Sequence, residues 1–293
     1  MTKKTTIGAQ TLKIPKVILL TAKFLEVISP KLVTLFAAKL FTTPIKHKIP
    51  KREQHMDIES KQHGLHIPSI KKDIHIYHYG SGAKKILLVH GWSGRGTQLV
   101  KIADELLNLG YSTISFDAPA HGKSKGNSSI MLEFIESILE IDKQFGPFEF
   151  AIGHSLGGMS ILNALKQNLE VKKVIIIGSG DIIQDIINDF TNKLNLKNDI
   201  SIKLRDHFEN KFNLKMDDFS ASKVGKEVKI PVLIVHDKND TDVDIKAAYN
   251  IQKNIEQSEL YITEKLGHRK ILGNNDVIKK IVEFINLKKH EFI

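Results

Sequence analysis

The chain contains no cysteine. This absence excludes disulfide scaffolds, thiolate zinc sites, iron–sulfur clusters and a cysteine nucleophile. It is compatible with a reducing compartment, and we expect a cytoplasmic protein. Long apolar runs are also missing. The longest uncharged stretch between residues 16 and 41 runs from Leu32 to Ala38, far short of the roughly 20 residues that a membrane-spanning helix needs.

Acidic residues are scarce at the N-terminal end and ordinary elsewhere. The net charge is +10, but residues 1–56 hold eleven basic residues against Glu26 and Glu53, and the remaining residues carry 32 basic and 31 acidic side chains. The body of the protein is therefore electrically balanced, which argues against a nucleic-acid-binding face on it. With 293 residues, 41% of them hydrophobic, the chain can form one large domain or a core domain with an insertion.

Residues 1–56 form a basic N-terminal segment with amphipathic helical character. Pro30 is expected to divide residues 16–41 into two short helices. Apolar residues recur at helical spacing in each half: Leu20, Phe24, Val27 and Ile28, then Leu32, Phe36 and Leu40. Three interpretations stay open: helices that pack on the domain or cover its substrate cleft, helices that lie on an anionic membrane surface, and a cleaved signal. Residues 43–55 have the prolines and charges of a linker.

Beyond residue 70, short apolar runs alternate with segments of helical periodicity. This alternation predicts an α/β fold with a mostly parallel sheet and helices on both faces. The predicted strands are 74–79, 86–89, 112–116, 148–152, 174–177, 232–235 and 260–262. The predicted helices are 97–109, 130–145 and 159–169. The polar stretch 180–228 is too long for an ordinary connection, so we expect a helical cap inserted there. Its apolar residues are candidates for an acyl-site wall: Ile182, Ile186, Phe190 and Phe208.

The stretch Gly153-His154-Ser155-Leu156-Gly157 is a G-x-S-x-G motif between an apolar strand and a helix. Glycines on both sides of the serine allow the strand to reverse into the helix, which holds the serine on a strained turn with its hydroxyl exposed. The amide that follows the nucleophile, Leu156, is a candidate oxyanion donor. Ser155 is therefore the candidate nucleophile.

A serine nucleophile needs a base, and the base needs a carboxylate to orient it. His268, in a Gly-His pair after the last predicted strand, fits the base better than His236 or His290. The loop after strand 232–235 offers three carboxylates, and spacing does not choose among them: Asp237, Asp240 and Asp242.

Residues 57–293 resemble the α/β-hydrolase fold family of serine esterases and lipases, in which the triad follows the order Ser, Asp, His. The family's loop H-G-x-x-D-x-x-V is matched at His236, Asp240 and Val243, with Asp237 in place of the glycine. The resemblance therefore implies Asp240 as the catalytic carboxylate and His268 as the base, with Asp181 as a minor alternative to Asp240.

Two further loops resemble those of the family. The stretch His90-Gly91-Trp92-Ser93-Gly94 is similar to its H-G-x loop, which implies the Trp92 amide as the second oxyanion donor and His90 as a brace. The Trp92 side chain either lines the acyl pocket or fills the core, and Met159 is a second candidate substrate-binding residue. Residues 117–124 are similar to the family's D-x-P-G-H-G-x-S turn, which implies structural roles for Asp117 and His121. Ala120 replaces a glycine there, which is harmless provided the backbone keeps a negative φ.

The serine at the elbow disfavours dehalogenases and epoxide hydrolases of this fold, which resemble the chain but use an aspartate. The expected activity is hydrolysis of a carboxylic ester, lipid-like or thioester substrates included, through an acyl-enzyme. Alternatives are an acyltransferase or C–C hydrolase with the same triad, and a non-catalytic binding module. The expected partner is a small-molecule ester, with no cofactor, metal or nucleic acid, and with residues 16–41 as a candidate membrane contact. The sequence carries no indication of oligomeric state.

Overall fold

The computed structural model describes residues 14–287. The basic residues before position 14 and His290 lie outside this range. Eight strands form one sheet across the described residues, in the order β1-β2-β4-β3-β5-β6-β7-β8. The pairs β1–β2 and β2–β4 are antiparallel and all the others are parallel. The strands are β1 (Lys61–Ile67), β2 (Lys72–Tyr79), β3 (Lys84–Val89), β4 (Tyr111–Asp117), β5 (Phe150–His154), β6 (Lys173–Ile177), β7 (Val232–Asp237) and β8 (Ser258–Thr263).

Helices connect most of these strands. They are α1 (Lys16–Ile28), α2 (Pro30–Phe41), α3 (Gln54–Glu59), α4 (Val100–Asn108), α5 (Met131–Phe145), α6 (Leu156–Lys166), α7 (Ile183–Lys193), α8 (Asn198–Phe212), α9 (Ala221–Gly225), α10 (Lys246–Asn254), α11 (Gly267–Lys270) and α12 (Asn275–Asn286). Short 3-10 turns occupy Lys51–Glu53, Met216–Phe219 and Ile271–Gly273. The sheet is thus mostly parallel with helices on both faces, and the predicted fold class is confirmed.

The hydrophobic core has two layers because side chains alternate between the faces of each strand. Leu87 and Val89 of β3 pack in the layer of α5 and α6, whereas Ile86 and Leu88 pack with α4 and α12. The same alternation holds along β6 and β7. Strands that are buried on both faces explain the continuous apolar runs of the sequence.

Strand β1 was not predicted from the sequence. Its residues, KQHGLHI, are mostly exposed or half-buried, so they carry neither a long apolar run nor a regular alternation. β1 is an edge strand that pairs with β2 through backbone hydrogen bonds from Lys61 to Ile67. Backbone pairing leaves no trace in side-chain hydrophobicity, and the pattern therefore missed this strand.

Two groups of helices lie outside the regular alternation of strands and helices. Helices α7, α8 and α9 occupy the connection between β6 and β7, and the α1–α2 pair packs against α8. α1 ends at Ile28 and α2 begins at Pro30, in the first-turn position that accepts proline because its missing N–H has no partner there. From residue 14 to residue 287, every helix is too short or too polar to cross a bilayer.

Candidate active site

Ser155 lies at the turn between β5 and α6. Its backbone has φ 52° and ψ −119°, a strained combination for a residue with a side chain, and its N–H donates to Ile177 O at 2.8 Å. A Cβ at Gly157 would lie 2.4 Å from Val89 O, so only glycine permits this close approach of α6 to β3. The flanking glycine therefore does what the motif predicts, and the serine is half-buried at the wall of a cavity.

His268 and Asp240 are joined by a hydrogen bond. Nδ1 of His268 donates to Oδ2 of Asp240 at 2.7 Å, and Oδ1 of Asp240 accepts the backbone amides of Asp242 and Val243 at 2.8 and 2.9 Å. Burial alone would raise the pKa of Asp240. The bond to His268 and these two amides outweigh burial and hold that pKa below its usual value. Asp240 is thus a buried carboxylate that remains ionised and holds one tautomer of His268.

The other carboxylates considered from the sequence lie elsewhere. Asp237 accepts Thr263 Oγ1 at 2.8 Å and the Leu266 amide at 3.0 Å, and it thereby ties β7 to the loop that carries His268. Asp242 Oδ2 lies 3.7 Å from a guanidinium nitrogen of Arg269. Asp181 accepts the Ser222 amide at 2.7 Å and the side-chain amide of Asn250. The structure therefore brings Asp240, and none of these three, to the Nδ1 atom of His268.

The loop after β3 lies beside the serine. A Cβ on Gly91 would be 3.0 Å from the Cβ of Ser155. The loop is braced by His90, whose Nδ1 donates to Gly91 O at 2.7 Å and whose Nε2 accepts the Ala118 amide at 3.0 Å. Leu156 is the first residue of α6, so its N–H has no acceptor within that helix. Trp92 and Leu156 both line the cavity, where we expected the two oxyanion donors.

Two side chains that were not predicted from the sequence support this loop and His268. Gln98 Oε1 accepts the Gly91 amide at 2.9 Å. His154 Nε2 donates to the backbone O of His268 at 2.9 Å, and the two imidazole rings lie 4.6 Å apart. Burial lowers the pKa of His154 to about 3, so this ring remains neutral beside His268. His154 lies within the G-x-S-x-G motif, and Gln98 lies shortly before α4. The spacing of these residues along the sequence does not indicate the long-range contacts that they make.

The turn at residues 117–124 carries one correction. Asp117 is buried and accepts the Gly96 and Lys123 amides, each at 2.6 Å, as a structural residue would. His121 packs edge-on against the Trp92 ring at 5.1 Å. Ala120, however, has φ +64°, so the condition under which alanine was expected to be harmless there is not met. The turn keeps its left-handed geometry, and alanine adopts it at a cost that glycine would not incur.

A cavity of about 1220 Å³ joins these residues. Ser155, His268 and Asp240 line it, together with Trp92 and Met159. Trp92 thus lies at the cavity rather than wholly in the core. The apolar part of the wall comes mostly from the helices above the sheet: Leu40, Phe41, Ile182, Ile186, Phe190, Phe208, Phe212, Met216 and Phe219. Across residues 14–287, no group of three or more His, Asp or Glu side chains is arranged to hold a metal ion.

Comparisons with known proteins agree with this fold. A family model described as the alpha/beta hydrolase fold matches residues 84–190. A curated relative, the 2-hydroxy-6-oxononadienedioate/2-hydroxy-6-oxononatrienedioate hydrolase of Escherichia coli strain K12, is 27% identical over 261 aligned residues, which cover 71% of this chain and 89% of the relative.

Solved structures show the same fold at low sequence identity. A putative lipase from Acinetobacter baumannii AYE superposes with a TM-score of 0.60 and 20% identity, covering 82% of this chain and 97% of that chain. A membrane phospholipase A superposes with a TM-score of 0.61 and 12% identity, covering 92% of this chain and 96% of that chain. The strand order, the elbow and these superpositions together show that the chain has the α/β-hydrolase fold, and residues 84–190 match the model of that family.

Proposed function

We propose that this protein is a serine hydrolase that cleaves a carboxylic ester through Ser155, His268 and Asp240. The observation that carries the proposal is the 2.7 Å hydrogen bond between His268 Nδ1 and Asp240 Oδ2. Both residues line the same cavity as Ser155, which lies on a strained turn. A strained backbone at a candidate nucleophile is typical of a functional site. The family match supports a hydrolase in the broad sense.

The proposed reaction is a two-step acyl transfer. His268 Nε2 takes the proton of the Ser155 hydroxyl as its oxygen attacks the ester carbonyl, and Asp240 stabilises the imidazolium that forms. The backbone amides of Trp92 and Leu156 bind the oxyanion. The C–O bond of the ester then breaks, and the alcohol leaves with the proton from His268. Water repeats the sequence on the acyl-enzyme and releases the acid.

The cavity wall favours an uncharged, apolar acyl group. Apolar side chains from α2, α7 and α8 form much of the wall. The charged side chains at the cavity are six aspartates against two lysines and Arg269. Lys193 already pairs with Asp189 at 2.6 Å. Because a surplus of carboxylates repels an anionic substrate, we propose a neutral ester with an aliphatic or lipid-like acyl chain.

A second candidate is C–C bond hydrolysis, because the curated relative acts on a 2-hydroxy-6-oxo dienedioate. The same serine, base and oxyanion donors would serve such a reaction. That substrate carries two carboxylates, however, and the surplus of aspartates at this cavity argues against it. We therefore rank ester hydrolysis first.

Transfer of the acyl group to an acceptor other than water uses the same acyl-enzyme. Product analysis with added alcohol distinguishes such transfer from hydrolysis. The cytoplasmic location stays a prediction.

Labelling by a fluorophosphonate probe tests the nucleophile without a guess about substrate. We expect one adduct by intact mass, mapped to Ser155 by peptide sequencing and absent in Ser155→Ala. Ser93 lines the same cavity, so Ser93→Ala is the matched control and should label like the wild type. An adduct on Ser93 in the wild type, or an unlabelled but folded wild-type chain, would contradict an activated Ser155. The unlabelled but folded wild-type chain would favour a non-catalytic binding module.

Turnover of a series of p-nitrophenyl esters, with a 2-hydroxy-6-oxo dienedioate as the competing substrate, tests the bond type. We expect kcat/KM to rise with acyl length and to exceed that for the dienedioate. Faster cleavage of the dienedioate would overturn the ester assignment and leave Ser155 as nucleophile. Ser155→Ala should lower kcat by about 10⁴-fold or more on either substrate.

A further inference from the structure

One face of α1 exposes a line of large apolar side chains. Val17, Leu20, Phe24 and Val27 are between 65% and 82% exposed. Their spacing of three, four and three residues places them on one side of the helix, and we call this set the outer stripe. On α2, Leu32 and Leu35 are also exposed. Contiguous exposed apolar side chains of this kind mark an interaction surface rather than ordinary solvent-facing residues.

The opposite face of α1 is fixed to the rest of the molecule. Ala22 and Glu26 are buried, and the Glu26 carboxylate accepts the Lys197 amide at 2.6 Å. Lys23 Nζ donates to the same carboxylate at 2.6 Å and to Asn195 O at 3.2 Å. These contacts hold the helix against the segment between α7 and α8. The outer stripe therefore points away from the domain in a fixed orientation.

The charges around the outer stripe have one sign. Glu26 is the single acidic residue of α1 and α2, and its carboxylate is turned inward. The exposed charged residues of the two helices are four lysines: Lys16, Lys23, Lys31 and Lys39. Lys16 lies four residues from Leu20 and so borders the stripe, whereas the Lys23 ammonium is held by Glu26 and by Asn195 O. An apolar ridge bordered by lysines matches a bilayer with anionic headgroups, where the ridge enters the acyl boundary and the ammonium groups contact phosphates.

We infer that the outer stripe, together with Lys16, Lys31 and Lys39, forms a docking surface for an anionic lipid bilayer. The sequence left open whether these helices pack on the domain or lie on a membrane, and the two arrangements are compatible because they use opposite faces of α1.

Helix α2, which carries Lys31 and Lys39 of the docking surface, also forms part of the cavity wall. Phe41, at the end of α2, contacts the rings of Phe190 and Phe208 at 5.1 and 5.7 Å, and it lines the cavity with Leu40. A bilayer seated on the outer stripe would thus lie against the helix pair that closes part of the cavity. This placement suits a substrate taken from the lipid surface. That last step rests on the proposed hydrolase function, whereas binding to the bilayer does not.

Co-sedimentation of the full chain with vesicles tests the inference. The vesicles contain phosphatidylcholine with phosphatidylglycerol, and pure phosphatidylcholine vesicles are the reference. We expect the wild type to bind the anionic vesicles at least about tenfold more tightly, and salt to weaken this binding. The double variant Leu20→Gln, Phe24→Gln should lose about tenfold or more. Both side chains are exposed, so the fold should tolerate the change, and unfolding by urea verifies it.

A matched variant changes exposed apolar residues elsewhere. Ile58 and Leu109 are also exposed, and Ile58→Gln with Leu109→Gln should bind vesicles like the wild type. Equal binding of the wild type to both vesicle types, or wild-type binding by the Leu20/Phe24 variant, would overturn the inference. Turnover of a soluble short-chain ester should be unchanged in the Leu20/Phe24 variant. Vesicle binding without any esterase activity would instead count against the proposed function alone.

Discussion

At the scale of single residues, two backbone amides and one imidazole distinguish Asp240 from its neighbours. Asp237 and Asp242 lie within three residues of it, yet Asp237 accepts donors from the following loop and Asp242 faces Arg269. The tight turn that brings the Asp242 and Val243 amides onto Oδ1 of Asp240 leaves Oδ2 free to meet His268. The role of each carboxylate thus follows from the turn and not from residue type.

Asp240→Asn should lower kcat by about 10³- to 10⁴-fold, because an amide can hold His268 in the wrong tautomer and does not stabilise the imidazolium. Asp242→Asn is the matched control. Its side chain does not touch His268 and its amide still donates to Asp240, so kcat should stay within about threefold of the wild type. Steady-state turnover of a soluble ester measures both. Equal losses in the two variants would contradict the assignment of Asp240.

Gly178, directly after β6, lies against the same pair. Its φ is +56°, and a Cβ there would lie 3.2 Å from Nδ1 of His268 and 3.5 Å from Oδ2 of Asp240. We expect Gly178→Ala to lower kcat by about tenfold or more, because a small displacement of the proposed base and carboxylate is costly. Stability should fall by about 1 kcal/mol from the positive φ.

Gly110→Ala separates these two effects. Gly110 has φ +82°, and within residues 14–287 no atom lies within 4 Å of the position that an added Cβ would take, so alanine there brings backbone strain without a contact. It should lose similar stability, measured by urea unfolding, and keep the wild-type kcat. A Gly178→Ala variant with wild-type kcat would show that the His268–Asp240 pair is not constrained from this side.

At the scale of elements, the segment before β1 is more than a linker. Glu53 is fully buried, and its carboxylate accepts Arg95 Nη1 at 2.8 Å and Thr97 Oγ1 at 2.9 Å. Arg95 is itself buried and follows the loop that carries Trp92. A charged clamp therefore ties the N-terminal segment to the loop beside Ser155.

Glu53→Ala should lower the free energy of unfolding by about 3–5 kcal/mol, because it leaves the Arg95 guanidinium buried without its carboxylate. Glu59→Ala, at the exposed end of α3, should change it by less than about 0.5 kcal/mol. Urea unfolding of the two variants and the wild type measures the difference. A loss below about 1 kcal/mol for Glu53→Ala would show that the clamp contributes little.

At the scale of the whole molecule, buried imidazoles tie stability to pH. His90, His121 and His154 are all buried, and burial lowers the pKa of His121 to about 4, lowers that of His154 to about 3 and lowers that of His90 well below its usual value. In the unfolded chain each would take up a proton near pH 6.5. Between these pH values the unfolded state binds more protons, so acidification destabilises the fold.

We expect the free energy of unfolding to fall by at least about 1.4 kcal/mol per pH unit below pH 6. Burial raises the pKa of Asp117 and that of Asp142, which acts in the opposite direction, but these are two carboxyls against three imidazoles. Urea unfolding at pH 6.0 and at pH 5.0 measures the slope, and His121→Asn should reduce it. Equal stability at the two pH values would contradict neutral burial of these histidines.

The residues whose structure depends on near neighbours were predictable. The apolar runs of β3, β6 and β7, the glycines beside Ser155 and the break at Pro30 each follow from side-chain periodicity or from local steric limits, and the structure has them where they were expected. The resemblance to a family then implied the order of the candidate nucleophile, carboxylate and base along the chain.

Contacts between distant parts of the chain were decided only by tertiary structure. The choice of Asp240 depends on where the loop after β8 meets the loop after β7, and Ala120 takes a positive φ because the buried turn around Asp117 imposes it. β1 could not be predicted from the sequence pattern because backbone pairing does not constrain its side chains. The clamp at Glu53 likewise depends on which surfaces meet. So does the division of α1 into a face that packs on the domain and a face that is exposed. Periodicity shows that a face is buried, but the partner of that face is set by packing.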